Sequence, residues 1–485
     1  MTESSRIATF SIQNFGCRAT DADANALRHQ LLAKGLTIVA EHHRADVVVL
    51  NTCTVTASAD AQARETVRKL YRANPQARIV VTGCYAQRAP EELAAMPGVM
   101  LVVGNSHLAE IPGALLAHRD ATADASAKHS ADFVALSNLE DPMSLERGPA
   151  KILTGDIFAQ ATILATSSGA FNPDRTRPIL KIQDGCNNRC SYCVIPFVRG
   201  RSRSLTPAAI IGEIQKFVAA GAKEIVLSGI NLGSYGRDLT PRVDLAQLVG
   251  RILSDTSLDR LRFSSIEPQD ITKDFVDLVA SSDRIAQHFH VPMQSGSDSM
   301  LKAMRRWYRA EHYAERIALI RSALPNAGTG ADVIAGFPGE TEADFRATTD
   351  LIERLSLSYL HVFSFSARPG TEAAKLGSFV PGAIVRERAR VLRKIGQSKA
   401  ATFRASQALR MERGLTLHRT GETSGETWTE CLTGNYLKIR IAGEIPPNQW
   451  AEVRVTHSPD EIANEASREG FSSIHAASYS LAATV

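Results

Sequence analysis

Three cysteines fall within eight residues, Cys186-Asn187-Asn188-Arg189-Cys190-Ser191-Tyr192-Cys193, directly after the short apolar run Pro178-Ile179-Leu180-Lys181-Ile182. A loop with thiols at this spacing admits a metal centre or a disulfide framework. A closed tetrahedral zinc site needs a fourth ligand, which the loop lacks. An iron–sulfur cluster held by three Cys keeps one iron open for a small chelating molecule, and that chemistry fits better. The zinc alternative stays open at this point.

The chain is long enough, at 485 residues with 44% hydrophobic content, for about three domains with sizeable cores. Its first residues, MTESSRIATF, lack a basic region followed by an apolar run, and no apolar stretch approaches the roughly 18 residues that span a bilayer. The expectation is a cytoplasmic protein with no membrane segment. Seven Cys without a secretion signal favour metal ligands in a reducing compartment over structural disulfides. The net charge of +4 says little by itself about nucleic acid, so the placement of basic residues matters more.

Residues 1–117 alternate strand and helix patterns and read as a small parallel α/β domain. Cys17, Cys53 and Cys84 each follow a strand candidate. The carboxyl ends of parallel strands share one edge, so three Cys distant in sequence can converge there. Three independently buried thiols are the alternative. Residues 118–177 lose periodicity and read as a linker.

From 178 to 383 six strand candidates alternate with helices: Ile179–Ile182, Glu224–Leu227, Arg260–Ser265, His288–Met293, Ala331–Ala335 and Tyr359–Phe365. That implies a parallel sheet curled into a partly open six-stranded TIM-type barrel, whose loops after the strands carry the active site. Those loops hold Gly- and polar-rich stretches after five of the strands, as a rim approached by a ligand requires. A basic helix at 384–409 follows, within a segment (Arg386–Arg413) carrying nine Lys/Arg against two Glu; it is a solvated face or a phosphate-contacting strip. Residues 410–457 alternate apolar and basic residues and predict a small β-barrel, with Cys431 as a buried core thiol. The tail, 458–485, is polar and Ala/Ser-rich and is expected to be disordered.

Together these pieces resemble the radical S-adenosylmethionine (SAM) methylthiotransferase family, which joins an N-terminal three-Cys domain, a radical SAM barrel and a C-terminal TRAM domain. The motifs are ADVVVLNTCTVTASA at 45–59, VTGCYAQ at 81–87, IQDGCNNRCSYCVIPFVRGRSR at 182–203, LSGINLGSYG at 227–236, VPMQSGSD at 291–298, residues 332–341 and RPGTEAA at 368–374. Gln183-Asp184-Gly185 and Gly229–Gly236 look most like the branch that modifies N6-threonylcarbamoyladenosine beside the tRNA anticodon. Other branches act on isopentenyladenosine in tRNA or on an aspartate of a ribosomal protein. A zinc-containing RNA-binding protein is the non-enzyme alternative. Arg18-Ala19-Thr20-Asp21 lacks the Asn-Gln that commonly follows the first Cys.

The resemblance implies two 4Fe-4S clusters. Cys186, Cys190 and Cys193 would hold the one whose open iron binds SAM, and Cys17, Cys53 and Cys84 a second, where sulfur is methylated before delivery to C2 of the base. Adenine C2–H has no acidic proton and no leaving group, so a radical route is required. Gly229, Asn231, Glu267, Gln294, Ser295, Asp332, Gly336, Pro338, Gly339 and Glu340 are the expected SAM contacts. Arg199, Arg201, Arg203, Lys438 and Arg440 are the expected RNA contacts. The implied partners are the anticodon stem-loop of tRNA and an electron donor such as flavodoxin or ferredoxin, with the protein a monomer.

Overall fold

A computed structural model describes residues 7–116, 149–164, 175–423, 425–455 and 474–481. The first domain is a six-stranded parallel sheet ordered β2-β1-β3-β4-β5-β6: β1 Thr9–Asn14, β2 Thr37–Ile38, β3 Val47–Thr52, β4 Arg78–Gly83, β5 Val99–Gly104 and β6 Lys151–Leu153. β3 reads VVVLNT and is buried at every residue, as a central parallel strand covered on both faces must be. Helices α1 (Arg18–Ala33) and α2 (Ala57–Ala73) belong to this domain, and two apolar clusters cover the two faces of the sheet. β6 corrects part of the expected linker. Three residues of it pair with Leu101–Val103 of β5, too short a strand to leave a periodic signal. Of that linker, residues 118–148 and 165–174 lie outside the described residues.

All six expected barrel strands form: β7 Ile179–Asp184, then, past the short antiparallel β8 (Arg203–Ser204), β9 Glu224–Gly229, β10 Arg260–Phe263, β11 His288–His290, β12 Gly328–Ala335 and β13 Tyr359–Ser364. Two ladders, β10-β9-β7 and β11-β12-β13, are joined by the bridges Leu261↔Ile285 and Ser265↔His290. β7 and β13 are not paired, so the barrel is open there. The period of two on β7 sends Leu180 and Ile182 into the main barrel core, whereas Ile179 packs on Ala22 of α1.

After the helix Gly382–Ser406, strands β14 (Met411–Thr423), β15 (Glu426–Thr433), β16 (Lys438–Ala442), β17 (Trp450–Val455) and β18 (Ile474–Leu481) close a small barrel in the order β14-β15-β16-β18-β17. β18 lies in the tail expected to be disordered. It pairs with both β16 and β17, so two strand edges are closed instead of left open.

The turn between β15 and β16 seats in the amino-terminal floor of the large barrel. Arg260 donates to the carbonyls of Arg413 (3.0 Å) and Leu432 (3.1 Å), and Arg262 to those of Thr433 (2.8 Å) and Gly434 (3.1 Å). Both guanidiniums, and that of Arg177, share the one carboxylate of Glu224, which is fully buried. Burial works to raise the Glu224 carboxyl, but the three Arg outweigh it and hold it well below the ordinary range. Its contribution is therefore present above the unfolded carboxyl pKa and is lost as pH falls below it. Replacing Glu224 by Ala leaves buried guanidiniums unpaired and is expected to cost about 3–5 kcal/mol, read as a lower urea midpoint at pH 7. The gap from the parent protein should narrow as the pH is taken well into the acid range.

Candidate active site

Three of the six clustered Cys follow a glycine at positive φ: Gly16 (138°), Gly83 (96°) and Gly185 (71°). A Cβ at Gly16 would lie 2.8 Å from the Cys53 Cβ, at Gly83 2.4 Å from the Thr52 carbonyl, and at Gly185 2.0 Å from the Arg201 carbonyl. Only glycine lets the chain turn sharply enough at these strand ends to bring each thiol to its trio. The seven Cys are all free thiols. Burial first, and then the neighbouring thiols, push Cys53 and Cys193 up to about 12, and burial raises Cys84 and Cys186 as well. Each trio thus gathers thiols that disfavour one another's ionisation, an arrangement that fits ligands awaiting a metal centre.

Hydrogen-bond donors already point at the sulfurs. The Asn188 N–H lies 3.4 Å from Cys186 Sγ, and Arg306 Nη1, its guanidinium also paired with Glu267, lies 3.4 Å from Cys190 Sγ. At the other trio Asn105 Nδ2 (3.5 Å) and Arg199 Nε (3.3 Å) reach Cys84 Sγ. The two trios are neighbours, because Cys84 packs against Val194 and Val198, beside and within the short helix Ile195–Arg199 that follows Cys193. Such donors around the sulfurs would tune a cluster held there.

Arg199 was expected to contact RNA. The structure buries it to 2% exposure instead, with Nη1 on Asp184 (3.0 Å), Nη2 on Asp23 of α1 (2.8 Å) and Nε on Cys84. Lys181 completes the lattice by pairing with the same two carboxylates. Arg203 is also buried and donates to the carbonyls of Arg199 (2.9 Å) and Arg201 (3.1 Å). Neither side chain is available to a phosphate. Arg201 is exposed at the cavity mouth, whereas Lys438 pairs with Glu430 and Arg440 lies over the Trp428 ring at 4.3 Å.

The expected SAM contacts divide in the same way. Asn231 is 6% exposed, with its N–H on Gln183 Oε1 (2.8 Å), Nδ2 4.0 Å from Cys186 Sγ and Oδ1 a buried acceptor without a partner. Gly229 stands beside it, packed on Gln183. Glu267 carries the Arg306 pair, and Gln294 adopts φ 64° in the loop after β11. Ser295, Gly336, Pro338, Gly339 and Glu340 serve architecture. Ser295 is bound to Thr348 Oγ1 (3.2 Å), and Glu340 accepts from Gly336 N–H (2.9 Å) and Arg388 (2.7 Å), stapling the Gly336-Phe337-Pro338-Gly339 loop. Asp332 lies inside the barrel between His290 (2.9 Å) and His361 (3.2 Å). Arg388 and Lys399, read as part of a basic strip, are likewise engaged, the latter on the carbonyls of Glu353 and Leu355.

Apart from Arg201, sequence reasoning missed the cavity rim. A cavity of about 460 Å³ opens beside Cys186, Cys190 and Cys193, edged by Arg189, Arg201, Arg305, Phe158 and Phe197, with Trp307 77% exposed close by in the chain. Arg189, with no core role inside a ligand loop, was a signal; Trp307 gave none.

Residues 9–104 match the family described as "Uncharacterized protein family UPF0004", and residues 180–352 match the radical SAM superfamily. A threonylcarbamoyladenosine tRNA methylthiotransferase of Aquifex aeolicus is 34% identical over 433 residues, covering 89% of this chain and 96% of its own. The Bacillus subtilis protein of the same name is 35% identical, covering 90% and 91%. The chain belongs to the radical SAM tRNA methylthiotransferases. It is an enzyme of that class, and SAM and 4Fe-4S clusters are its cofactors. A tRNA-2-methylthio-N(6)-dimethylallyladenosine synthase of Moorella thermoacetica is 32% identical, covering 89% and 95%. The radical SAM methyltransferase TsrM of Kitasatospora setae shares the fold at a TM-score of 0.52 and 17% identity, covering 73% of each chain. Among the described residues no helix is long and apolar enough to cross a membrane.

Replacing Arg199 by Gln strips a donor from Cys84 and leaves Asp23 and Asp184 short of their charge partner. The expected outcome is a loss of about 3–5 kcal/mol in chemical denaturation, together with iron bound less tightly at the N-terminal trio, read by chelator competition.

Proposed function

We propose that this protein inserts a methylthio group at C2 of N6-threonylcarbamoyladenosine beside the anticodon of tRNA, giving 2-methylthio-N6-threonylcarbamoyladenosine. The observation that carries the reading is the adjacency of two thiol trios, joined through Cys84, Val194 and Val198. Cys186, Cys190 and Cys193 would hold the cluster that binds SAM, and Cys17, Cys53 and Cys84 a second cluster that carries sulfur. The bound groups supply one-electron chemistry able to replace an unactivated C–H. The protein's own part is positional. Asn231 and Glu267 line the SAM side, Arg306 orients Cys190, and the thiols are held on rigid strand ends. The names of the A. aeolicus and B. subtilis relatives support the threonylcarbamoyl substrate.

The rim suits a single-stranded loop, with Arg189, Arg201 and Arg305 for phosphates and Phe158, Phe197 and Trp307 for stacked bases. Changing those three Arg to Ala is expected to weaken anticodon stem-loop binding and to reduce the slope of log K against log salt by about 2, at roughly 0.7 per single-strand phosphate contact. The substrate is tested by mass spectrometry of tRNA nucleosides from a deletion strain. The methylthio derivative of threonylcarbamoyladenosine should vanish, with that of isopentenyladenosine unchanged; the reverse pattern overturns the assignment.

A further inference from the structure

The interior of the large barrel is polar below the clusters, and the proposed reaction leaves that unexplained. On β13 Leu360 packs outward on Gly396, so Tyr359, His361 and Phe363 face inward. His361 and Phe363 nevertheless keep 42% and 43% exposure, so the barrel is open at their level. A hydrogen-bonded chain crosses this space. His288 Nε2 meets the Tyr359 hydroxyl at 2.8 Å, which meets His290 Nδ1 at 3.0 Å; His290 Nε2 and His361 Nδ1 then converge on one oxygen of Asp332 at 2.9 and 3.2 Å. Burial works to raise the Asp332 carboxyl, but the two imidazoles outweigh it and keep it ionised. A carboxylate oxygen accepts, so His290 Nε2 and His361 Nδ1 are the donors to it.

Arg18 enters the same space. It is the first residue of α1, directly after Cys17, and its Nη2 lies 3.5 Å from the Tyr436 hydroxyl, whose ring stacks on His288 at 4.2 Å. Among the described residues no carboxylate pairs with Arg18. Its charge acts on His288 and Tyr359 inside the barrel. The surroundings are cationic even with the Asp332 carboxylate counted, since Glu224 is the carboxylate shared by Arg177, Arg260 and Arg262. The amino-terminal end of α1, without a side-chain cap, adds the positive pole of a 16-residue helix. An electropositive, hydrogen-bonding space is suited to an anion bearing hydroxyl or amide groups and is costly for a hydrocarbon.

The N6 substituent of the proposed substrate is such a group: a ureido link, a hydroxyl and a carboxylate. A dimethylallyl substituent has no polar atom. The outer ureido N–H can close on N1, which places the amino acid on the N1/C2 edge of the base, where sulfur is added. A cation one residue from Cys17 is on that side. Resting on the threonylcarbamoyladenosine reading, we propose that Arg18, with the His290–Asp332–His361 triad, forms the subsite for the threonylcarbamoyl side chain, Arg18 binding its carboxylate and His361 its hydroxyl.

The test measures binding by the full-length, cluster-loaded protein of anticodon stem-loops that carry threonylcarbamoyladenosine, its methyl ester, isopentenyladenosine or plain adenosine at the target position. The parent should prefer the threonylcarbamoyl form to the ester by about 10- to 100-fold, as loss of a charge-assisted pair implies. Arg18→Gln should abolish that preference, and Arg18→Lys should restore part of it. Melting temperature and iron content check that the variants fold. Equal parent affinity for acid and ester, or a preference surviving in Arg18→Gln, overturns the subsite. A parent preference for the isopentenyl stem-loop overturns the substrate reading beneath it. If Arg18→Gln does not fold, the comparison of acid with ester in the parent decides alone.

Discussion

The buried pairing of Arg199 and Lys181 with Asp23 and Asp184 is the constraint on which the placement of the active site depends. Two charges of each sign, all taken out of water, are tolerable only when every partner is in place. Asp23 comes from α1 of the first domain, whereas the other three come from β7 and the short helix after the Cys186–Cys193 loop. The lattice therefore fixes the register of one domain on the other. Because α1 begins immediately after Cys17, and Arg199 also touches Cys84, fixing that register brings the first thiol trio beside the second. A second tie acts farther out, where Asp60 of α2 binds Arg88 and, from the segment after β13, Arg368.

At the opposite end of the barrel the C-terminal module is part of the same structure. Its β15–β16 turn fills the floor, held by two Arg that spend their remaining donors on backbone carbonyls. Tyr436 reaches that turn's conformation with φ 74° and presents its ring to His288. Floor, interior polar layer and Arg18 are thus contiguous, and the depth of the pocket is set by a domain remote in sequence.

The features legible in the sequence were those with local signatures. Two Cys trios, one in a single loop and one placed after three strand candidates, announced where the thiols would gather. Six strand candidates alternating with helical stretches announced the barrel, and Cys431 was placed correctly in a core, with 0% exposure. What escaped was decided by tertiary contacts. Arg199 and Arg203 sit in a run of basic residues that looks like an RNA-binding strip, yet Arg199 is drawn inward by Asp23, more than a hundred residues away in the chain, and Arg203 turns back onto the carbonyls of Arg199 and Arg201. Glu340 and Ser295 follow strands as ligand contacts do, but they brace their own loops. The sequence IHAASYSL at 474–481 carries little strand character alone, and it pairs because two edges wait for it.

The central claim is that the N-terminal thiols hold a cluster of their own, and the most direct measurement is the iron content of the anaerobically reconstituted protein with Cys17, Cys53 and Cys84 all changed to Ala. The protein should fold, keep about half of the parent's iron and still cleave SAM reductively, with no methylthio group transferred to tRNA. A folded variant that retains all of the iron would contradict the claim, because the three thiols would then be ordinary buried side chains.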